Sequence, residues 1–381
     1  MFVLRSELWA VMLTIYFSLH VAIRTLLGYP LTPEEMHIAQ QAKSFAWSYD
    51  GSMPLYFWLQ MLVFKAFGSS ILALALLKNL LLLMIAIFMH RIVRRVADKD
   101  IAWFASLSLV LIPAVIWKAQ HGLHLTVLAT AVAAVTLHVF LKLHDHRDAQ
   151  IFAGLGALLG LGLLSSLNFA WFIGALIGAG LITARSRPIV LSGGFICALA
   201  IAAAIVSPVV WTTQVRPVLD LTLVQDFSYE LMVARSYMSY DFLQSAVVFA
   251  AVLMAIMIYA RTKEVPERAR ADDGIAALRE FLGRLVFIGL AILLAAVFGT
   301  GFDAARSEVL MPILVFVAPL ATLFIFPGAP AQVRHNFLSL TGCVAVAVLI
   351  LSSAHYSFSD REVLQTQVAQ PNAHDTRGPA L

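Results

Sequence analysis

Long apolar runs follow one another along almost the whole chain. A helix needs about 20 apolar residues to cross a bilayer, and the runs predict about eleven spans. Only 13% of the residues are charged, whereas a soluble domain carries about 25%. We therefore predict an all-α, polytopic transmembrane bundle. The candidate spans are 8–27, 70–90, 101–117, 123–142, 150–165, 168–184, 188–207, 241–260, 285–300, 310–327 and 337–353.

The basic residues predict how the bundle is oriented. Arg91, Arg94 and Arg95 form one cluster, and six Lys and Arg residues lie between Arg261 and Arg284. Because basic clusters stay on the cytoplasmic side of a membrane, the N-terminus is predicted to be cytoplasmic. The chain then forms one transmembrane domain, 1–353, with outer loops 28–69 and 208–240, a cytoplasmic loop 261–284 and a disordered polar outer tail, 354–381.

The first outer loop contains a predicted amphipathic helix that lies along the membrane interface. Thr32 suits the N-cap, Pro33 suits the first helical position, and Glu35 falls three residues after the cap, as in a capping box. An apolar stripe at helical spacing follows. A turn then leads to a second short helix that begins near Pro54 and is rich in aromatic residues. The apolar stripe consists of Ile38, Ala42, Phe45 and Tyr49.

The adjacent acids Glu34 and Glu35 have two interpretations. Acidic residues in the first turn of a helix are stabilised by the helix dipole, and Glu35 completes the capping box. Adjacent carboxylates also repel each other, which raises the pKa of one and makes it a candidate general base. The residues alone favour the structural interpretation, but the sequence does not decide between the two.

Few other polar side chains interrupt the spans. Lys78 lies inside one of them, where a charge is costly, and either snorkels outward or pairs with a carboxylate. Cys197 and Cys343 lie in apolar runs and are predicted to be buried, inert thiols. No metal or other cofactor is predicted. The alternative is a metal site formed by His37, His121 and His124 with the paired acids, but the spacing of these residues fits no strong metal-binding motif. The scarcity of charges in the spans also argues against a transporter.

Several stretches, taken in order, resemble the GT-C membrane glycosyltransferases, and glycosyltransferase family 39 in particular. Residues 54–60 read Pro-Leu-Tyr-Phe-Trp-Leu-Gln, and residues 76–81 read Leu-Leu-Lys-Asn-Leu-Leu. Residues 160–165 read Gly-Leu-Gly-Leu-Leu-Ser and are followed by Asn168 and Phe169. The resemblance covers residues 8–215 well and 285–327 weakly. Relatives include the lipid A aminoarabinose and galacturonic acid transferases and the protein O-mannosyltransferases.

The resemblance implies transfer of a sugar from a polyprenyl phosphate to a lipid, glycan or protein acceptor at the periplasmic face of the bacterial inner membrane. The paired acids Glu34 and Glu35 occupy the place of the residues that orient or deprotonate the acceptor, with Glu34 where the family usually has Asp. Cations are needed to hold the phosphate as negative charge develops on it. A membrane protein partner is an open possibility.

Three basic residues of the family pattern are absent here. Residues 121–126 read His-Gly-Leu-His-Leu-Thr where the family has Arg-Asp-Leu-Thr-His-Thr, and the Lys before Asn168 and the late Arg near residue 308 are also missing. The chain is therefore predicted to be such a transferase with a rebuilt phosphate site, or a degenerate homologue that binds lipid or a partner. The predicted donor-phosphate and substrate-binding residues are Tyr56, Lys118, His121, His124, Asn168, Arg216, Arg235 and Arg306.

Overall fold

The computed structural model describes residues 6–28, 30–49, 52–112, 114–213, 273–300, 307–327 and 329–369. These residues are helical, as predicted, and contain one isolated β-bridge and no β-strand. The helices are α1 (Ser6–Leu27), α2 (Pro33–Gln41), α3 (Leu55–Phe67), α4 (Ile71–Val93), α5 (Lys99–Leu107), α6 (Ala119–His121), α7 (His124–Lys142), α8 (Ala149–Ser165), α9 (Phe169–Ile182), α10 (Arg187–Val190), α11 (Gly193–Thr213), α12 (Asp273–Thr300), α13 (Ser307–Leu314), α14 (Val317–Ile325) and α15 (Ala331–Ala369).

Five helices in the described ranges are long and apolar enough to cross a membrane. A sixth candidate is a pair of helical segments, Lys99–Leu111 and Val115–His121, that meet at an angle of 73°. The apolar helices α3, α8 and α9 are shorter than a full span, and the predicted span 241–260 lies outside the described residues. The predicted count of about eleven spans is therefore not confirmed. The five long candidates are Leu8–Leu27, Ile71–Val93, His124–Lys142, Gly193–Thr212 and Ala331–Ser353.

Helix α4 is central to the bundle and contacts α1, α3, α5 and α7. Helix α3 directly precedes α4 in the chain and contacts it. The first loop, with α2 and α3, therefore lies at the end of the bundle where α4 begins. A second tight pairing joins α8 to α11, where the backbone of Ala198 lies so close to Gly156 that a Cβ there would meet it at 2.5 Å. Gly160 follows at the spacing by which small residues let membrane helices approach.

The first loop is only partly helical. The predicted capping box is present, because Thr32 Oγ1 accepts from the Glu35 backbone N–H and the Glu35 carboxylate accepts from the Thr32 N–H. Helix α2 ends at Gln41, eight residues before the predicted end. Beyond it the Tyr49 hydroxyl accepts from Ala46 N–H and donates to Ser44 C=O, which are backbone groups that a continuing helix would use.

Two predictions for the outer parts of the bundle differ from the structure. Residues from 354 onward were predicted to be disordered, yet α15 continues to Ala369. The two cysteines were predicted to be buried, yet Cys197 and Cys343 are exposed. An exposed thiol on an apolar helix surface faces lipid, which an apolar sequence run alone does not distinguish from core.

Candidate functional site

Glu35 is buried at the junction of α1 and α2. Its Oε2 accepts from Arg24 Nη2 at 2.6 Å and from Thr32 N–H at 3.0 Å, and both charged side chains are about 5% exposed. Burial raises the pKa of Glu35, but the bond to Arg24, the charge of Lys78 and the bond to Thr32 outweigh it, so the pKa lies below its ordinary value. Glu35 is an ionised carboxylate whose Oε2 accepts from two fixed donors.

Glu34 points the other way, toward the start of α7. Its Oε2 accepts from Leu123 N–H and its Oε1 from His124 N–H, both at 2.8 Å. The His124 Nδ1 lies 3.3 Å from Oε1, while 34% of the Glu34 side chain remains exposed. Burial raises the pKa of Glu34, but the contact with the His124 side chain and the two backbone N–H groups together lower it below its ordinary value. Glu34 is thus ordered, ionised and accessible.

The backbone that receives Glu34 has an unusual shape. Leu123 has a φ of 61°, in the left-handed region that branched residues seldom occupy. This conformation turns consecutive N–H groups toward one carboxylate, as in an anion-binding nest, at the positive end of the α7 dipole. At Gly122 a Cβ would meet Glu34 Oε2 at 3.0 Å, so the carboxylate occupies space that a side chain would need.

A buried lysine lies behind this backbone. Lys78 is 2% exposed, and its Nζ donates to the Gln120 carbonyl at 2.6 Å. The neighbouring Asn79 accepts from the Gln120 side-chain amide at 3.0 Å. Together with Arg24, Lys78 balances the two carboxylates, and both glutamates attract its ammonium. The cluster is therefore a charge-neutral group of two cations and two anions.

Three fully buried polar side chains extend the site along α3 and α7. The Tyr56 ring meets the His124 ring edge-on, with centroids 5.7 Å apart. The Tyr56 hydroxyl, the Gln60 amide and His124 Nε2 have no hydrogen-bond partner among the described residues. Buried polar atoms without a partner are rare in folded proteins and concentrate where function needs them. Together with the paired acids beside them, they make this end of the bundle the candidate site.

The structure brings together four of the ten predicted site residues: Glu34, Glu35, Tyr56 and His124. His121 is one turn before α7 and bonds through Nδ1 to the Trp117 carbonyl at 2.8 Å. Lys118 ends a π-helical turn, Ala114–Lys118, in the same segment. Asn168 lies at the α8–α9 turn and, within the described ranges, is not hydrogen-bonded to either glutamate. The other three, Arg216, Arg235 and Arg306, lie outside the described residues.

The sequence did not lead us to assign to the site the two cations that balance the charge of the acids, Arg24 and Lys78. Arg24 was overlooked because it ends an apolar span, where a basic residue is ordinary. Lys78 was noted but not assigned to the site. Its position inside an apolar span was the available signal, since intramembrane charges pair with others or line functional sites. His37, part of the alternative metal site, packs its ring against Phe57, and no group of three metal-ligating side chains occurs in the described part of the chain.

The apolar helical bundle, with the paired acids near the start of the first loop, is what the resemblance to the GT-C membrane glycosyltransferases implies. Residues 51–211 match the family described as Dolichyl-phosphate-mannose-protein mannosyltransferase, so this part of the chain is similar to that family. This match agrees with the resemblance that the sequence predicted.

Two curated relatives and one solved structure are similar to the chain. The lipopolysaccharide core galacturonosyltransferase RgtB of Rhizobium johnstonii is 29% identical over 91% of this chain and 70% of RgtB. RgtA of the same organism is 31% identical over 52% of this chain and 40% of RgtA. The crystal structure of ArnT from Cupriavidus metallidurans bound to undecaprenyl phosphate aligns with a TM-score of 0.59 and 16% identity. That alignment covers 96% of this chain and 66% of ArnT, and it shows the shared fold.

Proposed function

We propose that this protein transfers a sugar from a polyprenyl-phosphate donor to a lipid or glycan acceptor at the periplasmic face of the inner membrane. The observation that carries the proposal is Glu34, an ionised carboxylate that is fixed by two backbone N–H groups and still accessible. A carboxylate of this kind suits the orientation and deprotonation of an acceptor hydroxyl.

The reaction is a substitution at the anomeric carbon of the sugar. The acceptor oxygen forms a bond to that carbon as the bond from the carbon to the phosphate oxygen breaks. The acceptor proton goes to Glu34, and the polyprenyl phosphate leaves with the bonding electron pair. Negative charge therefore moves from Glu34 to the phosphate, where cations stabilise it.

The geometry supports different roles for the two acids. Glu34 is the group that reaches the acceptor, whereas Glu35 joins α2 to α1 through Arg24 and holds the first loop in place. Arg24 and Lys78 are both engaged within the cluster. The phosphate-binding cations are therefore proposed to be Lys118, with Arg216, Arg235 and Arg306. His121 and Asn168 remain candidates for substrate contacts.

The relatives suggest which substrates to try. RgtA and RgtB are named for galacturonosyl transfer to the lipopolysaccharide core, and ArnT was solved with undecaprenyl phosphate. We therefore choose polyprenyl-phosphate galacturonic acid as the first donor and lipopolysaccharide core as the first acceptor. Donors that carry aminoarabinose or mannose form the comparison series.

The test measures release of polyprenyl phosphate by the purified full chain in lipid nanodiscs. Glu34→Gln keeps the size of the side chain and removes the base, so we expect a loss of about 10²–10⁴-fold in turnover. Asp145→Asn, an exposed acid at the other end of the bundle, is the matched control and is expected to retain full activity. No release by the wild type with any donor, or no effect of Glu34→Gln, would instead support a degenerate homologue that binds lipid or a partner protein.

A further inference from the structure

Lys78 is a charge that the proposed chemistry does not use directly. It lies within the apolar helix α4 and is 2% exposed, so it does not reach a bound substrate. An ammonium at this depth is unfavourable unless it is paired, and such residues in membrane helices usually serve the protein's function. What Lys78 contacts therefore indicates what it does.

The contact of Lys78 is the end of a helix. Residues 114–121 are helical, as a π-turn followed by α6, and α6 ends at His121. The last carbonyls of a helix lack partners within it and carry partial negative charge. Lys78 Nζ donates to one of them, the Gln120 carbonyl, while Asn79 holds the Gln120 side chain. Two consecutive residues of α4 thus fix both the backbone and the side chain of one residue.

The next helix begins three residues later with the opposite arrangement. At the start of α7 the Leu123 and His124 N–H groups donate to the Glu34 carboxylate. The break between α6 and α7 is therefore flanked by a cation at the negative end of one helix and an anion at the positive end of the next. Each charge stabilises the helix end that it faces. Between them Leu123 occupies the left-handed region, a conformation that the surrounding contacts must enforce.

We propose that Lys78 is a positioning residue for Glu34, which it holds in place indirectly through Gln120 and the 122–124 backbone. Lys78 fixes where α6 ends, and this sets the direction of the Leu123 and His124 N–H groups. These groups in turn orient the carboxylate toward the acceptor. The inference rests on the proposed function for its effect on turnover, but the positioning itself is a property of the structure.

The charged and titratable groups around Lys78 come from four helices. Arg24 and His20 face it from α1, Glu34 and Glu35 from α2, and His124 from α7. Tyr56 of α3 borders the same glutamates. Removal of the Lys78 charge leaves one cation, Arg24, against two carboxylates. Both glutamates should then bind protons more readily than in the wild type.

The first test needs no substrate. A membrane-permeant carbodiimide modifies protonated carboxyl groups in apolar surroundings, and peptide mass spectrometry separates Glu34 from other acids. We expect Lys78→Met to be labelled at Glu34 at higher pH than the wild type, and Lys78→Arg to return toward the wild-type profile. Thr136→Val removes a buried hydroxyl that bonds within α7. It is the control for a general loss of packing in the helical bundle. Identical Glu34 profiles in the wild type and Lys78→Met would overturn the proposal.

The second test uses turnover and a double variant. Lys78→Met is expected to lower kcat by about 100-fold, the effect of misplacing a catalytic group by about 1 Å, with little change in KM. If Lys78 acts through Glu34, the Glu34→Gln/Lys78→Met double variant is as active as Glu34→Gln alone. Losses that multiply would show an independent role and contradict the proposal. A wild type without turnover would contradict the proposed function, while the labelling would still decide the role of Lys78.

Discussion

The two ends of the bundle both carry ion pairs, but they bury them differently. At the end that holds the acids, Arg24 and Glu35 are each about 5% exposed. At the other end, Arg95 pairs with Asp145, which is 50% exposed. The burial of the charges, rather than their number, therefore distinguishes the candidate site from the other end of the bundle.

A large cavity lies at the other end of the molecule. A cavity of about 890 Å³ lies between the α4–α5, α7–α8 and α9–α10 turns and the start of α12. Its polar groups bond to nearby loops, as when Arg94 donates to the Ala97 carbonyl at 3.1 Å and His144 Nε2 contacts Ser186 Oγ at 2.9 Å. These groups close the turns at the helix ends. At the opposite end, Glu34 combines order, charge and accessibility.

The largest expected difference between the two ends concerns stability. Arg24→Met leaves the Glu35 carboxylate buried without its cation, which typically costs about 3–5 kcal/mol. Arg95→Met removes an exposed partner, for which about 0–1 kcal/mol is typical. Unfolding of both variants in detergent micelles measures the difference. Equal losses would show that burial does not separate the two pairs.

The sequence predicts part of the candidate site, and there is a physical reason why it does not predict the rest. The capping box at Thr32 and Glu35 was predicted because its partners are three residues apart in the chain. The contact between Glu34 and the start of α7 was not, because 89 residues separate Glu34 from Leu123. Local spacing predicts helix caps, whereas contacts between helices depend on a register that hydrophobic patterns leave open.

The unequal roles of the two acids were also beyond sequence reasoning. Both occupy the first turn of α2, where the helix dipole stabilises both carboxylates to a similar extent. Their side chains diverge because adjacent residues on a helix point about 100° apart, one toward α1 and the other toward α7. Only the positions of Arg24 and the 122–124 backbone show which acid is locked and which is accessible.

A smaller effect is expected when the pH is lowered. The folded-state pKa of Glu35 lies below its unfolded value, so its stabilisation is fully present above the unfolded pKa and is lost as pH falls through the folded pKa. Protonation weakens a charge-assisted hydrogen bond worth about 1.5–3 kcal/mol. Melting temperatures across a pH series should therefore fall less steeply in acid for Glu35→Gln than for the wild type.

Asp145→Asn provides the matched control for that series. Its pair with Arg95 is exposed and is expected to add little to the acid dependence. If Asp145→Asn flattened the curve as much as Glu35→Gln does, the buried pair would not be the source of the acid sensitivity.

The smallest expected effect tests the fit between Glu34 and Gly122. A Cβ at residue 122 would lie 3.0 Å from Glu34 Oε2, so Gly122→Ala must displace the carboxylate by a few tenths of an ångström. Turnover is expected to fall about tenfold, equivalent to about 1.4 kcal/mol. The shorter side chain of Glu34→Asp withdraws the carboxylate from this space. Gly122→Ala should then cost little in the Asp background, because the added methyl group no longer meets an oxygen.

Turnover of the four proteins in this cycle, measured as polyprenyl phosphate release, gives the coupling between the two positions. A tenfold loss from Gly122→Ala in both backgrounds would mean that the methyl group acts on the backbone at Leu123 rather than on the carboxylate. A loss confined to the Glu34 background would show that the absence of a side chain at Gly122 and the length of the acid at residue 34 are matched. In that case the longer carboxylate of Glu34 occupies the space in front of α7 that a side chain at residue 122 would need.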